Sequence, residues 1–586
     1  MPTLNWIGKE KVLTHHLDVP YRPLSLSYTY GAAQSANKII HGDNLLALKS
    51  LLPAYEGKIK CIYIDPPYNT GNEGWVYNDN VKDPKIQKWL GEVVGKESED
   101  LSRHDKWLCM MYPRLKLLHK LLAEDGIIII HIDENEYHSF LFLLEEIFGS
   151  TNSLGTIVWD KKNPKGDTKR ISCQHESILL YAKDVQKFDL LLKQDKKNAL
   201  KMLATAKKYY SKIGQTIYPE DFVKVAKKYN IDIKEYKHLK KNYSLEDANA
   251  EFQAWLKKQD FTGGELAYKY IDSSGAVYRG VSMAWPNKKQ APDEYFIPLK
   301  HPLTGNACPV PARGWRNPPQ TMQRLLEEGR ILFGEDQSTQ PTRKYFLHEN
   351  MQENISSIFR YGGSDDQLLK NMKIHFSTPK PCAFSKQIIK NLSDPDSIIL
   401  DSFAGSGTTA QAVLELNKED GGNRQFILIE MEDYAEQITA ERVRRVIDGY
   451  GEGAKAVAGL GGDFGFYRLG PSIFKESNPN FLNEDLEEEE LRKYIFYTET
   501  GSLKGYRERG AEAPYFMGTY EDRDYFFFYE KEESCHLTYK FLEQIELSSD
   551  EIRGVVIYAD LSLIGDEFLA SGNIIFKKIP RDIARI

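Results

Sequence analysis

The chain has 586 residues, of which 41% are hydrophobic and 27% charged, and its net charge is −7. That is the make-up of ordinary globular domains, and at roughly 150 residues per domain the length allows about three to four of them. No apolar run nears the ~20 residues of a membrane-spanning helix, and the first residues carry no charged-then-apolar leader pattern, so a cytoplasmic location is expected. The six cysteines, at 61, 109, 173, 308, 382 and 535, show no CxxC spacing. Buried free thiols are expected, with neither a disulfide framework nor a metal site. Charge is uneven: Lys187–Lys241 holds 15 Lys against 6 acids, and Glu484–Glu490 is almost wholly acidic. The first reads as a phosphate-holding surface or a solvated helical face, the second as a protein contact or, more simply, a solvated linker.

Three regions alternate strand and helix. In the first, Lys38–Ile40 reads as a strand, Leu45–Leu52 as a helix and Ile59–Ile64 as a strand. In the second, Trp107, Met111, Leu115, Leu118 and Leu122 recur at spacings of three and four, which predicts an amphipathic helix over Asp105–Leu122. Asp125-Gly126 breaks it, Ile127–Ile132 forms a buried strand, and Glu134–Phe148 is helical. In the third, the strand Ser397–Leu400 leads through the turn Phe403–Gly407 into a helix over Thr408–Leu416. The strand Phe426–Ile429 and a helix over Tyr434–Val446 follow. This rhythm predicts an α/β fold, a doubly wound, mostly parallel sheet. Residues 188–355 break it, with lysine-rich helices and then Gly, Pro and aromatic-rich stretches, and read as an inserted domain. The expected division is an N-terminal arm (1–30), the first part of the α/β domain (31–187), the insertion (188–355), the second part (356–470) and a C-terminal α+β domain (471–586) with β-like stretches such as Tyr525–Tyr529.

Two constellations carry chemistry. Ile62-Tyr63-Ile64-Asp65-Pro66-Pro67-Tyr68 sits where a strand ends, the place where open α/β sheets bind ligands. The prolines stiffen the loop and remove two donors. The Asp65 carboxylate and the Pro66 carbonyl are two acceptors for the two N–H bonds of an aryl amine. Holding both favours a pyramidal nitrogen with its lone pair free, and Tyr68 offers a flat face for stacking. The second is Asp401-Ser402-Phe403-Ala404-Gly405-Ser406-Gly407-Thr408-Thr409-Ala410, a glycine turn into a helix N-terminus, with Glu430 ending the next strand where an acid can take ribose hydroxyls. Alone, Gly405-x-Gly407-x-x-Ala410 with that acid also matches a dinucleotide fingerprint, so an NAD-dependent oxidoreductase is the proper rival. It is not a P-loop, because no Gly-Lys-Ser/Thr follows.

Together the two motifs resemble those of the amino-group DNA methyltransferases, which carry both DPPY and FxGxG. The resemblance covers most of 38–190 and 370–450. In that family Asp in first position goes mainly with adenine N6, and Ser with cytosine N4. The order here, DPPY first and FxGxG after a long insertion, looks like the beta arrangement, a circular permutation of the common fold. Phe376 with Pro379-Lys380-Pro381 resembles the motif that precedes FxGxG and borders the cofactor. His41-Gly42-Asp43-Asn44 resembles the upstream motif whose Asp meets the cofactor's adenine. Trp159 to Lys183, including His175-Glu176, resembles the segment leading into target recognition. The stretch from His301 through Pro309, with Arg313-Gly314-Trp315 and Gly329 to Gly334, looks like the middle of modification (Mod) subunits of type III restriction systems.

The resemblance implies transfer of a methyl group from S-adenosylmethionine to adenine N6 of duplex DNA, by base flipping and direct transfer without a cysteine adduct. Asp65, Pro66, Pro67 and Tyr68 are the expected catalytic loop. The expected cofactor residues are Asp43, Asp65, Phe376, Pro379, Lys380, Asp401, Phe403, Ala404, Gly405, Gly407, Thr408 and Glu430. Implied partners are double-stranded DNA, a second copy of the chain and a restriction (Res) helicase–nuclease subunit; a stand-alone orphan or type II methyltransferase is the alternative. Candidate base readers in the insertion include Arg279, Asn287, Lys288, Lys289, Gln290, Arg313 and Arg316. Tyr68→Ala is expected to weaken activity strongly and Tyr68→Phe to be milder, since the ring does the stacking. The oxidoreductase explains the glycine loop but not Asp65–Tyr68. A binding scaffold without catalysis is disfavoured by the intact loop, and an RNA or protein-glutamine methyltransferase by Asp65 and the insertion.

Overall fold

Strand formation here follows from apolar runs of four to six residues, too short for helices and too uniformly apolar for a half-exposed sheet. The computed structural model describes residues 3–583 apart from 71–83, 97–101, 164–170, 190–191, 287–288, 476–477, 484, 532 and 550. The candidate readers Asn287 and Lys288, and Glu484 of the acidic run, therefore lie outside the described residues. Two units are distinguished: Met1–Leu191 with Ser356–Ile586, and Leu192–Ile355.

The first unit is built on a ten-stranded sheet. Its strands in chain order are β1 (Leu24–Tyr30), β2 (Lys38–His41), β3 (Ile59–Ile64), β4 (Leu122–Ile132), β5 (Ser153–Asp160), β6 (His175–Ala182), β7 (Ile358–Arg360), β8 (Ile398–Asp401), β9 (Gln425–Glu430) and β10 (Phe464–Leu469). Their spatial order is β1-β10-β2-β9-β8-β3-β4-β6-β5-β7. The six central strands, β10 through β4, run parallel. Strand β6 enters antiparallel to both β4 and β5, and β1 antiparallel to β10, so the sheet is mixed at its flanks. The residues assigned above to an arm thus supply an edge strand. Helices α1 (Asn44–Tyr55), α2 (Arg103–Leu121), α3 (Tyr137–Phe148), α4 (Cys382–Leu392), α5 (Thr408–Asp420) and α6 (Glu441–Asp448) connect them. Ile62, Ile64, Ile128 and Ile130 are fully buried in one core with Trp107, Leu115 and Leu118 of α2.

Three local readings change. Helix α2 ends at Leu121 and β4 starts at once, so Asp125-Gly126 lies within the strand. A bulge opposite Ile59–Cys61 makes room, and a Cβ on Gly126 would stand 2.8 Å from the Ile59 carbonyl, so the position requires glycine. The helix expected from Glu134 starts at Tyr137, because the Asp133 carboxylate first captures the Asn135 N–H at 2.9 Å. The helix expected over Tyr434–Val446 begins as a 3₁₀ turn, Asp433–Ala435, and a π turn, Glu436–Ala440, before α6.

The C-terminal region carries a four-stranded sheet of Phe516–Tyr520, Arg523–Phe527, Gly554–Ala559 and Ile574–Lys578. The described end of the acidic run is helical and not a linker. Glu488–Glu490 make the first turn of a helix, Glu488–Thr500, where negative charge suits the helix dipole, and Glu488 pairs with Arg509. The second unit packs helices Ala199–Tyr210 and Leu245–Leu256 with Tyr268 and Val277. Its antiparallel sheet has the order Tyr270–Ile271, Val277–Ser282, Thr342–Phe346, Ile331–Leu332. Lys193–Asp195 pairs with Gln352–Asn354, so this unit closes on its own two ends. No described helix is long and apolar enough to cross a membrane.

Candidate active site

The two motifs are some 340 residues apart in sequence, yet they leave neighbouring strands. Leu400 of β8 is paired with Ile62 of β3 in parallel register, so both strands deliver their following loops to the same edge of the sheet. From there the chain moves outward in opposite directions, β8 to β9 and β3 to β4. That reversal of winding opens a crevice between adjacent loops.

The loop after β3 is held from several sides. The Trp107 indole donates to the Pro67 carbonyl at 2.6 Å. Asn69 takes a left-handed φ of 60° and donates to the fully buried Glu136 at 2.5 Å. Asp65, Pro66 and Tyr68 line a cavity of about 580 Å³ together with Asp133, Trp159, Lys161, Glu176, Pro379 and Lys380, a size in the range of small-molecule sites. Trp159 is buried, stacked on Phe384 with ring centroids 4.3 Å apart, and its indole donates to the Tyr361 carbonyl at 2.8 Å.

Lys380 is the hub of this cavity. Its ammonium donates to the Tyr68 hydroxyl at 2.6 Å and to Glu176 at 3.0 Å. It also pairs with Asp65 Oδ1 at 3.1 Å, an ionic contact outside hydrogen-bond geometry. The Tyr68 hydroxyl in turn donates to Glu176 at 3.0 Å, and Lys161 donates to the other Glu176 oxygen at 2.6 Å. Burial opposes the charge of Glu176, but Lys380 and Lys161 outweigh it and hold its carboxyl down at about 2. Burial likewise opposes the charge of Lys380, and Asp65 and Glu176 more than restore it, raising its pKa. Burial drives the Tyr68 phenol upward, and the neighbouring Asp65 and Glu176 carboxylates add to it. Lys380 therefore stays an ammonium and Tyr68 a neutral phenol. The sequence places Glu176 and Lys161 only within the segment that resembles the lead into target recognition, and not in this cluster, because their partners Tyr68 and Lys380 lie on other loops.

The loop after β8 is a second rigid element. Gly405 and Gly407 have φ of 51° and 83°, and a Cβ on Gly407 would meet the Thr439 carbonyl at 3.1 Å. The π turn places that residue here, and its hydroxyl donates to the Gly405 carbonyl at 2.6 Å. Asp401 is buried and turned inward, accepting from Thr409 at 2.5 Å and from the Phe403 N–H at 3.0 Å; burial lifts its carboxyl to about 7. Ala404 N–H donates to the Ile429 carbonyl at 3.1 Å. Arg442, wholly buried, fixes the helix start: it donates to Ser406 at 2.7 Å, Thr408 at 2.8 Å, Gln411 at 2.9 Å and Asp365 at 2.7 Å. Nothing in the sequence marked Arg442 or Asp365. The Thr408 hydroxyl reaches the Lys380 carbonyl at 3.4 Å, which links the glycine loop to the residue whose ammonium holds Tyr68.

Glu430 ends β9 beside this loop. It accepts from Gly405 N–H at 2.7 Å and from Glu432 N–H at 2.9 Å, and burial raises it to about 7. The Tyr434 hydroxyl also engages this carboxylate, so part of its remaining acceptor capacity is taken from within the fold. Phe376 stands edge-on to Tyr434 with centroids 5.7 Å apart, and both line a second cavity of about 530 Å³. Asp43 lines neither cavity. It caps α1, accepting from Leu45 N–H at 2.8 Å and Leu46 N–H at 3.3 Å, and lies 3.6 Å from Arg114. It nonetheless follows His41, which is paired with Glu430.

The DNA methylase family profile matches residues 59–441. The chain is 32% identical over 455 residues to the Mod subunit of the type III restriction-modification enzyme EcoP15I of Escherichia coli, covering 74% of this chain and 64% of that protein. It is 31% identical to the StyLTI Mod subunit of Salmonella typhimurium, over 67% of this chain and 52% of that protein. Against the type II methyltransferase M.KpnI of Klebsiella pneumoniae it is 30% identical, over 68% of this chain and 81% of that one. The chain thus spans between half and two thirds of the length of the Mod subunits it matches. A match across both motifs and the insertion between them places this chain in the DNA methylase family.

Proposed function

We propose that this chain methylates adenine N6 in duplex DNA at a specific sequence, with S-adenosylmethionine as donor, as the modification subunit of a type III restriction-modification system. The observation that carries the reading is the juxtaposition at β3 and β8: a rigid loop with two acceptors, Asp65 and the Pro66 carbonyl, beside a glycine loop opening a helix. The residues fit the donor. Two positive-φ glycines let a ligand approach the backbone, Glu430 ends the neighbouring strand as a carboxylate acceptor for a ribose hydroxyl, and Phe376 with Tyr434 lines an aromatic cavity for a base. Phe403, Gly405, Glu430 and Phe376 would hold it, with Lys380 and Asp401 shaping the loops around it. When bound, it supplies a methyl group on a sulfonium, already activated for transfer.

The rest is the work of this chain. Adenine leaves the duplex at a cost of a few kcal/mol and stacks on Tyr68, which returns about 1–3 kcal/mol. Asp65 and the Pro66 carbonyl accept the two N6–H bonds, so the lone pair points away from both. Lys380, Glu176 and Lys161 fix the Tyr68 ring by its hydroxyl. The protein's contribution is orientation of two reactants at fixed distance.

The similarity to type III Mod subunits supports the modification role, and a Res subunit and a second copy of the chain are the proposed partners; the family resemblance of 188–355 supports target recognition there. The test is to incubate the purified protein with plasmid DNA and S-adenosylmethionine and to map modified bases by long-read sequencing, with Asp65→Ala as control. N6-methyladenine at one short motif, on one strand of an asymmetric site and absent with the variant, is the expected result. Methylcytosine instead, or no modification despite cofactor and DNA binding, would sink the reading.

A further inference from the structure

The antiparallel sheet of the second unit has two unlike faces. Residues alternate across it, so Val277, Arg279 and Val281 share one face with Arg343, Tyr345 and Leu347. Arg279 lies opposite Tyr345, and Arg343 opposite Val281. At one end of this face Val277 and Leu347 are fully buried beneath the helices Ala199–Tyr210 and Leu245–Leu256. Beyond that cover come two arginines set on tyrosine rings. The Arg279 guanidinium lies 5.0 Å from the Tyr268 ring centroid and 5.8 Å from that of Tyr345; Arg343 lies 5.4 Å from Tyr345. Lys196 stands 5.9 Å from the other ring, Tyr268.

Neither arginine forms a salt bridge among the described residues, although Arg343 is near enough to Glu349 for its charge to hold that carboxyl lower. Their neighbours do form them: Arg330 holds Glu349 at 2.7 Å and Glu328 at 2.9 Å, and Lys344, on the opposite face, lies 3.8 Å from Asp272. The Nε atoms of both arginines are buried without a hydrogen bond. A half-buried guanidinium held over an aromatic ring has lost much of its freedom, and with its Nε buried and no salt bridge it presents its terminal nitrogens to an external acceptor. Two such groups flank one tyrosine. Their charge, rigidity and paired donors match phosphate oxygens or the O6/N7 edge of guanine, both of which accept two parallel hydrogen bonds.

We propose that the Arg279–Tyr345–Arg343 ladder is a DNA-contacting surface of the insertion and helps to set where the enzyme binds. The proposal rests on the DNA-methylating function argued above. The test uses the full chain and fluorescence anisotropy with two short duplexes, one carrying the mapped methylation motif and one lacking it, across a salt series. Arg279→Ala/Arg343→Ala is expected to weaken binding to the motif duplex by at least about tenfold. A phosphate contact weakens both duplexes alike and flattens the salt dependence by about one to two ions. A base contact weakens the motif duplex alone and relaxes the methylated motif at one position. Should the alanine variant melt early, Arg279→Lys/Arg343→Lys, which keeps charge and stem but not the planar fork, is measured in its place, again with weaker binding expected. Wild-type affinity and motif in a folded variant overturn the proposal. A wild-type protein that binds neither duplex overturns the DNA reading beneath it.

Discussion

Removing one oxygen atom tests the reasoning about the Asp65 loop. Tyr68→Phe keeps the ring that stacks on the base and deletes only the hydroxyl. On sequence grounds the change looks mild, but the hydroxyl is the bridge between Lys380, at 2.6 Å, and Glu176, at 3.0 Å. Hydrogen bonds to charged groups contribute about 1.5–3 kcal/mol each. Part of that loss is recovered, because Lys380 and Glu176 still face each other at 3.0 Å. About 2 kcal/mol of orienting energy then disappears, which is about 30-fold in rate if it is expressed in the transition state. Tyr68→Ala loses the stack as well, a further factor of about 10–100. The assay is single-turnover methyl transfer with labelled donor at saturating protein, with cofactor affinity measured separately by calorimetry. A Tyr68→Phe rate within about twofold of wild type would refute the argument, since the ring alone would then suffice.

Asp65→Ala is expected to abolish methyl transfer while calorimetry shows donor affinity largely kept, because the donor is assigned to Phe403, Gly405 and Glu430; joint loss of both would break that division of roles. Arg442→Met strips three hydrogen bonds from the glycine loop and its helix and a fourth from Asp365, which stays buried with the Cys382 N–H; thermal melting should fall by the equivalent of about 3–5 kcal/mol, with weakened donor binding. Glu430 is raised to about 7 by burial. Its folded form therefore binds a proton more readily than the unfolded chain, a stability contribution present in acid and lost as pH rises through about 7. Donor affinity should run the other way, rising between about pH 6 and about pH 8 as the carboxylate forms to accept ribose hydroxyls, and Glu430→Gln should flatten that rise in a calorimetric titration.

The strands and the two loops were legible because their signals are local. The apolar runs around Ile62 and Ile128 can be buried only as central strands, and Asp65-Pro66-Pro67-Tyr68 and Phe403-x-Gly405-x-Gly407 declare stiff and permissive backbone by residue type. What escaped was set by contacts across the fold. Glu176 gains meaning only when β6 brings it to Lys380. Arg442 reads as a surface charge until the π turn rotates it under Ser406 and Thr408. The acidic run reads as solvated until Arg509 and the helix start account for it. Gly126 reads as a breaker, and only the neighbouring Ile59 carbonyl shows that a strand needs it there.

The placement of the insertion follows from the same sheet. The chain leaves after β6 and resumes at β7, which pairs only with the flanking strand β5. The strands that lead into Asp65 and Gly405 stand fifth and sixth from that edge of the order, locked by parallel ladders on both sides. The insertion, for its part, joins its two ends through Lys193–Asp195 and Gln352–Asn354. A segment whose ends meet can change in length or sequence at little entropic cost to the host. Residues proposed to contact DNA, such as Arg279 and Arg343, can therefore diverge without moving the Asp65 loop. Swapping residues 192–355 for those of a relative should change the methylated motif and leave the single-turnover rate at the new motif within about tenfold of the parent. A chimaera that folds, binds the donor and cannot methylate any motif would show that the two parts are energetically coupled after all.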